Sequence, residues 1–199
     1  MPEIYISTDI ETDGPIPGPN SMLSFASAAF KPDGTRISTF SANLELLPDA
    51  VPNPSTMAFW NENPEAYAAT RTDLKDPADA MKQYVEWIKS LGGKPVFAAY
   101  PAGFDFLFVY WYLIRFAGES PFSFSALDIK TYAMAQMKTQ TMSGESSGVS
   151  RKMVQELLGI PAEDFSHDPV DDASRQGRLY FGLRALILAD DVPAQSKDR

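Results

Sequence analysis

The only histidine in this 199-residue chain, His167, precedes Asp172 by five positions in the stretch HDPVDDA. Its unperturbed pKa of about 6.5 suits a proton acceptor at neutral pH, so a chain that keeps one histidine beside carboxylates is expected to use it in chemistry. Two other places supply partners. Asp9 and Glu11 alternate along an apolar run near the N-terminus, which puts both carboxylates on one face of a strand. Asp105 lies inside the apolar run AAYPAGFDFLFVYWYLIRF, where a lone charge is costly to bury without a compensating ligand. Four carboxylates suffice to hold two hard cations, and two such cations roughly 4 Å apart activate water, relieve charge on phosphoryl oxygens and stabilise a leaving alkoxide. Mg²⁺ or Mn²⁺ is implied, because zinc favours cysteine or several histidines and the chain has no cysteine. His167 then acts as general base toward the attacking water.

Each residue also has a plainer reading. Asp9 and Glu11 alone would be a solvated strand end, Asp105 alone an N-cap, and His167 alone a surface residue before a helix. The local sequence near His167 favours the chemical one. Asp168 is placed to cap a helix and Pro169 suits its first position, with Asp171 returning toward the cap. That leaves Asp172 just inside the helix as the ligand, and Asp171 as its competitor for the role.

The elements that must position these groups follow from patterning. Residues 3–10, 22–31 and 35–44 alternate apolar with small or polar residues, with turn signals at Asp13-Gly14 and Pro32-Asp33-Gly34, and read as a three-strand antiparallel meander. Ser55 or Thr56 is expected to cap a short helix and Pro64 to start another. Three- and four-residue spacing of Met81, Tyr84, Val85, Ile88 and Leu91 predicts an amphipathic helix over 76–91. A buried strand at 95–100, a core helix over 104–117, a brief strand around 124–127 and a helix through Met137 complete the middle. Residues 138–148 have a mobile loop's composition, helices are expected at 150–158 and 169–188, and the tail 189–199 should be disordered. Residues 1–188 are therefore expected to form a single α/β domain, with a mixed central sheet of the meander plus two further strands, flanked by helices.

Composition narrows the partners. A net charge of −9 argues against loose binding to a polyanion through a broad basic face, yet carboxylates that hold cations offset charge where a phosphate sits. Nothing resembles a secretory leader, since the opening turns polar by its seventh residue, and the longest apolar run is broken by Asp105 and Arg115. A soluble cytoplasmic protein without membrane contact is expected.

Asp9-Ile10-Glu11, then Asp105 in YPAGFD, then His167 and Asp172 resemble, in order and spacing, the three exonuclease motifs of the DEDD superfamily in its histidine subclass. The resemblance spans roughly residues 3–188. It implies an RNase H-like fold, two divalent ions and hydrolysis of nucleotides from a 3′ end, with Asp9, Glu11, Asp105 and Asp172 as ligands and His167 as base. Tyr100-Pro101 stand where the second family motif often has His-Asn, and Pro169 where the third often has a small residue; both bear on substrate preference.

A metal-dependent 3′–5′ exonuclease is the leading expectation. Its partner would be a nucleic acid 3′ end, single-stranded or with a 3′ overhang. Family geometry would bring the Ile10 backbone and neighbouring Thr12 against the terminal nucleotide. Met22 and Leu23 are candidates to wedge against its base, Phe104 to stack on it and Trp60 to line the cleft. The alternatives are a phosphodiesterase on short oligonucleotides or nucleotide conjugates, and a non-catalytic module that binds nucleic-acid ends. No motif specifies a contact to the sugar 2′ position, so DNA and RNA both stay open, as does homodimerisation.

Overall fold

The computed structural model describes residues 1–137, 149–161 and 169–190. The meander forms as expected, from β1 (Glu3–Thr12), β2 (Met22–Phe30) and β3 (Arg36–Asn43). Its second turn is tight, and Gly34 takes a φ of +85°, a conformation that a Cβ would oppose. The first connection is wider than the Asp13-Gly14 signal predicts. Residues 13–21 make a loop whose mouth is closed by Asp13, with Oδ1 accepting the Ser21 N–H at 2.6 Å and its own N–H donating to the Ser21 carbonyl at 3.0 Å.

Two parallel strands extend the sheet beyond β1, namely β4 (Lys94–Ala99) and a two-residue β5 (Leu127–Asp128), giving the order β3-β2-β1-β4-β5. The expected strand at 124–127 thus shrinks and shifts, and Phe124 is exposed. Alternation along β1 divides the interior into two layers. Ile4, Ile6 and Ile10 join a core with α3 (Pro77–Ser90) and α4 (Ala102–Tyr112), while Tyr5 joins a second core with α5 (Ile129–Gln136), α6 (Arg151–Leu158) and α7 (Pro169–Asp190).

Two shorter helices, α1 (Pro54–Glu62) and α2 (Pro64–Ala69), follow β3. The cap of α1 is Asn53 rather than Ser55 or Thr56, which are instead the residues whose N–H groups its side chain accepts. The run 104–117 also differs from a uniform core helix. It passes into a π-helical turn at Leu113–Ala117, and Leu107 and Ile114 are exposed, because α4 covers the sheet from outside and keeps one flank toward solvent. The expected loop 138–148 lies outside the described residues. So does most of the expected tail, since α7 continues through Asp190. No helix among the described residues is long and apolar enough to cross a membrane.

Candidate active site

The carboxylates meet where parallel strands β1 and β4 end, the place at which α/β sheets commonly bind ligands. Asp9 and Glu11 pair in register with Ala26 and Ser24 of β2, so both point to the α7 side of the sheet. Small residues let α7 approach. Ala26, Ala28 and Ala98 pave that layer, and a Cβ on Gly177 would stand 2.2 Å from the Phe30 ring. The close approach carries Asp172 toward the strand, and Gln176, one turn further along α7, donates its side-chain N–H to Asp9 Oδ1.

Asp105 arrives from the other layer. Strand β4 runs through the cis peptide Tyr100-Pro101 directly into α4, and Asp128 at the end of β5 fixes that entry. Its Oδ2 accepts the Ala102 N–H at 2.6 Å, and its Oδ1 accepts the Thr131 N–H of α5 at 2.6 Å. One carboxylate therefore caps two helices. Asp105 is not a cap but an inward-facing residue of the first turn, only 5% exposed.

Electrostatics identify the three described motif carboxylates of β1 and α4 as a strained cluster. Burial pushes Asp9 up to about 6, with Asp172 adding to the rise and Arg151 opposing it. Burial likewise pushes Glu11 up to about 8, reinforced by repulsion from Asp9 and Asp172. Asp105 is held well above the ordinary carboxylate range by burial and by Asp9, against partial relief from Arg151 and the Ile10 backbone. Asp171 and Asp172 separate clearly, because Asp171 is exposed whereas Asp172 turns inward and acts on Asp9 and Glu11.

This donor set fits hard divalent cations, since oxygen ligands crowded together away from water are relieved by a cation among them. Among the described residues, no three carboxylates converge closely enough as placed to hold one ion. Asp9 instead faces Arg151, whose Nη2 lies 3.3 Å from Asp9 Oδ1 and donates to the Tyr100 carbonyl at 3.1 Å. Arg175 sits 3.8 Å from Asp172 on the same helix. The expected base, His167, and the expected cap, Asp168, lie outside the described residues.

The expected substrate contacts divide. A cavity of ≈ 230 Å³ beside Glu11 is lined by Trp60, Ser41, Asn43, Thr70, Pro169 and Val170. Trp60 therefore lines a cleft, and its indole N–H donates to the Thr12 carbonyl at 2.9 Å, tying α1 to the end of β1. Phe104 is 37% exposed at the start of α4, accessible for stacking. Met22 and Leu23 must be corrected. Both are 0% exposed, and the Met22 N–H donates to the buried Tyr112 hydroxyl, so neither presents a wedge. The side chain of Ile10 is core and Thr12 is buried, which leaves their backbones at the strand end.

Arg151, Gln176 and Asp128 were not anticipated from sequence. Gln176 follows Asp172 by four positions, a helical spacing that would have flagged it. Asp128 precedes a predicted helix and so carries a capping signature, but its second helix is 26 residues distant in sequence. Arg151 has no comparable local signature.

No family model matches the chain. It is 34% identical over 182 residues to the 3′-5′ DNA exonuclease Cap18 of Escherichia coli, an alignment that covers 89% of this chain and 90% of that protein. The nuclease domain of 3′hExo, described as a DEDDh family member and bound to rAMP, superposes with a TM-score of 0.63 at 13% identity, covering 95% of this chain and 92% of that one. The zinc-bound Escherichia coli ExoI–ssDNA complex superposes with a TM-score of 0.64 at 16% identity, covering 96% of this chain but 41% of that one. The meander, the two parallel strands and their helices are thus an RNase H-like fold. With its motif carboxylates gathered on that fold and a third of its residues shared across nearly the whole of Cap18, the chain belongs to the family of that protein and is a 3′–5′ exonuclease.

Proposed function

We propose that the chain removes nucleotides from a DNA 3′ end, single-stranded or with a 3′ overhang, using two divalent cations held by Asp9, Glu11, Asp105 and Asp172. The observation that carries this reading is the cluster of buried carboxylates raised by burial and mutual repulsion at the ends of β1 and β4. DNA is favoured by the similarity to a DNA exonuclease across most of both chains. Carboxylate oxygens favour Mg²⁺ or Mn²⁺ over zinc. When bound, the cations supply charge for the phosphoryl oxygens and lower the pKa of water.

The chain's own residues orient and move the proton. The Ile10 and Thr12 backbones at the end of β1, with Trp60 behind Thr12, form the floor against which the terminal nucleotide lies. The cavity beside Glu11 receives its base or sugar, and Phe104 stacks from the α4 side. His167, just before α7, takes a proton from the attacking water. The water oxygen bonds to phosphorus, the P–O3′ bond breaks, and the leaving oxygen takes a proton from solvent. The products are a nucleoside 5′-monophosphate and a chain one residue shorter.

The test is degradation of 5′-labelled single-stranded DNA, RNA and overhang duplexes with Mg²⁺ or Mn²⁺, with and without chelator. A ladder shortening from the 3′ end of DNA, abolished by chelator and by Asp9→Ala, is expected. His167→Ala should slow it by about 10²–10⁴-fold. Unchanged activity in either variant would overturn the assigned roles, and cleavage confined to dinucleotides would favour a phosphodiesterase on short substrates.

A further inference from the structure

Arg151 stands apart from the rest of the site because it is a cation where the site's ligands are anions. It is the first residue of α6, behind a Ser150 cap, and among the described residues its guanidinium meets Asp9 Oδ1 at 3.3 Å, the Tyr100 carbonyl at 3.1 Å and the Tyr100 ring at 5.7 Å from its centroid. The contact with Asp9 is long for a charge-assisted bond, which prefers about 2.7–2.9 Å, and longer than the bond to the Tyr100 carbonyl.

A divalent cation and this guanidinium compete for the same carboxylate. Once cations neutralise the acids, the attraction holding Arg151 against Asp9 is cancelled and becomes repulsion between like charges. The Tyr100 carbonyl and ring keep the side chain at the cleft, and the freed N–H groups need an anionic acceptor. The planar guanidinium matches phosphate oxygens, and in a chain of net charge −9 a cation at the cleft is a valuable anchor.

We propose that Arg151 serves two partners in turn: Asp9 while the carboxylates hold no cation, and a substrate phosphate oxygen once they do. It thereby acts as a built-in competitor of the metal and as a phosphate contact of the loaded enzyme. This inference rests on the reading of Asp9 as a cation ligand.

The experiment titrates the full chain with MnCl₂ by calorimetry and then measures kcat and KM on a single-stranded oligodeoxynucleotide at saturating Mn²⁺ across a KCl series. Arg151→Gln is expected to bind Mn²⁺ more tightly, on the order of tenfold, because the competing charge is gone. Its KM should rise on the order of tenfold, with kcat changed less. The slope of log(kcat/KM) against log[KCl] should become shallower by about 0.7, the value for one lost phosphate contact on a single strand. Lys152→Gln removes the same charge from the exposed neighbouring position and should leave Mn²⁺ affinity within about twofold. Arg151→Met, which keeps the aliphatic stem, repeats the measurement should the glutamine variant fold poorly.

Equal or weaker Mn²⁺ binding in the Arg151 variants would overturn the proposal, because a residue that merely props up Asp9 would weaken the site when removed. Tighter binding without a change in KM or salt slope would overturn the phosphate half. A wild-type chain that binds no Mn²⁺ would overturn both this inference and the carboxylate reading, whereas wild-type binding unaffected by Arg151→Gln overturns this inference alone.

Discussion

Asp9 concentrates the chemistry at the scale of single residues. It is 8% exposed, accepts from Gln176, faces Arg151, and feels the charges of Asp172 and Asp105. Because Asp9 and Glu11 titrate at about 6 and about 8 when folded, against values near 4 in an unfolded chain, the folded protein binds more protons between those limits. The contribution of these two acids to stability without divalent cations therefore falls as pH rises from about 4 toward 8, the reverse of a paired carboxylate. Thermal melts in chelator should show Tm dropping over that range, and added Mg²⁺ or Mn²⁺ should restore much of it at pH 8; a Tm rising with pH would contradict the burial of these acids. Asp171→Asn should leave turnover and Mn²⁺ binding close to wild type, since Asp171 is exposed, while Asp172→Asn should weaken Mn²⁺ binding on the order of tenfold or more. At this scale the sequence was informative where a residue's role is local. Alternation on a strand put Asp9 and Glu11 on one face, whereas helix position left Asp171 in competition with Asp172, and burial in the structure distinguishes them. Arg151 meets Asp9 across 142 positions, a contact that no local pattern encodes. Met22 and Leu23 were misread because an apolar residue after a loop looks the same whether it faces a ligand or the core.

Among the elements, α7 and α4 decide whether the carboxylates meet. Gly177 permits α7 to lie against β2, and Ala26 and Ala28 are small for the same reason. Gly177→Ala would force a methyl group into the Phe30 ring, and is expected to cost about 1–3 kcal/mol of stability by denaturant melts while lowering activity through displacement of Asp172 and Gln176. A variant as stable and active as wild type would show that the ring yields freely. Asp128→Ala should cost about 1–2 kcal/mol by removing acceptors from the Ala102 and Thr131 N–H groups. Its activity should fall further than its stability, because α4 carries Asp105; an equal fall in both would deny a positioning role. The meander and α3 were legible because their period-2 and period-3.6 patterns are strong. The run 104–117 was not, since an apolar helix looks alike from every side and only the sheet beneath α4 determines which flank is wet. The two-residue β5 is too short for any periodicity, and exists because β4 offers an edge for it.

Across the whole molecule, the proposed role of the acids at the ends of β1 and β4 as cation ligands would let a chain of net charge −9 take a polyanionic substrate. The element string and motif order pointed to the RNase H-like fold, and the comparisons bear that reading out. How the two layers converge at Asp9 required the structure, because Asp105 and Asp172 reach it from opposite sides of the sheet. On the proposed reading, these carboxylates hold the cations on which turnover depends. The most direct measurement is a Mn²⁺ titration of wild type and Asp9→Asn, followed by electron paramagnetic resonance, with turnover of a 5′-labelled single-stranded DNA recorded in the same samples. Two ions per chain in the wild type, and loss of at least one together with a fall in turnover on the order of 10²-fold or more in Asp9→Asn, are predicted. Full turnover by Asp9→Asn, or turnover in wild type without any bound ion, would overturn the role of these carboxylates as ligands of catalytic cations.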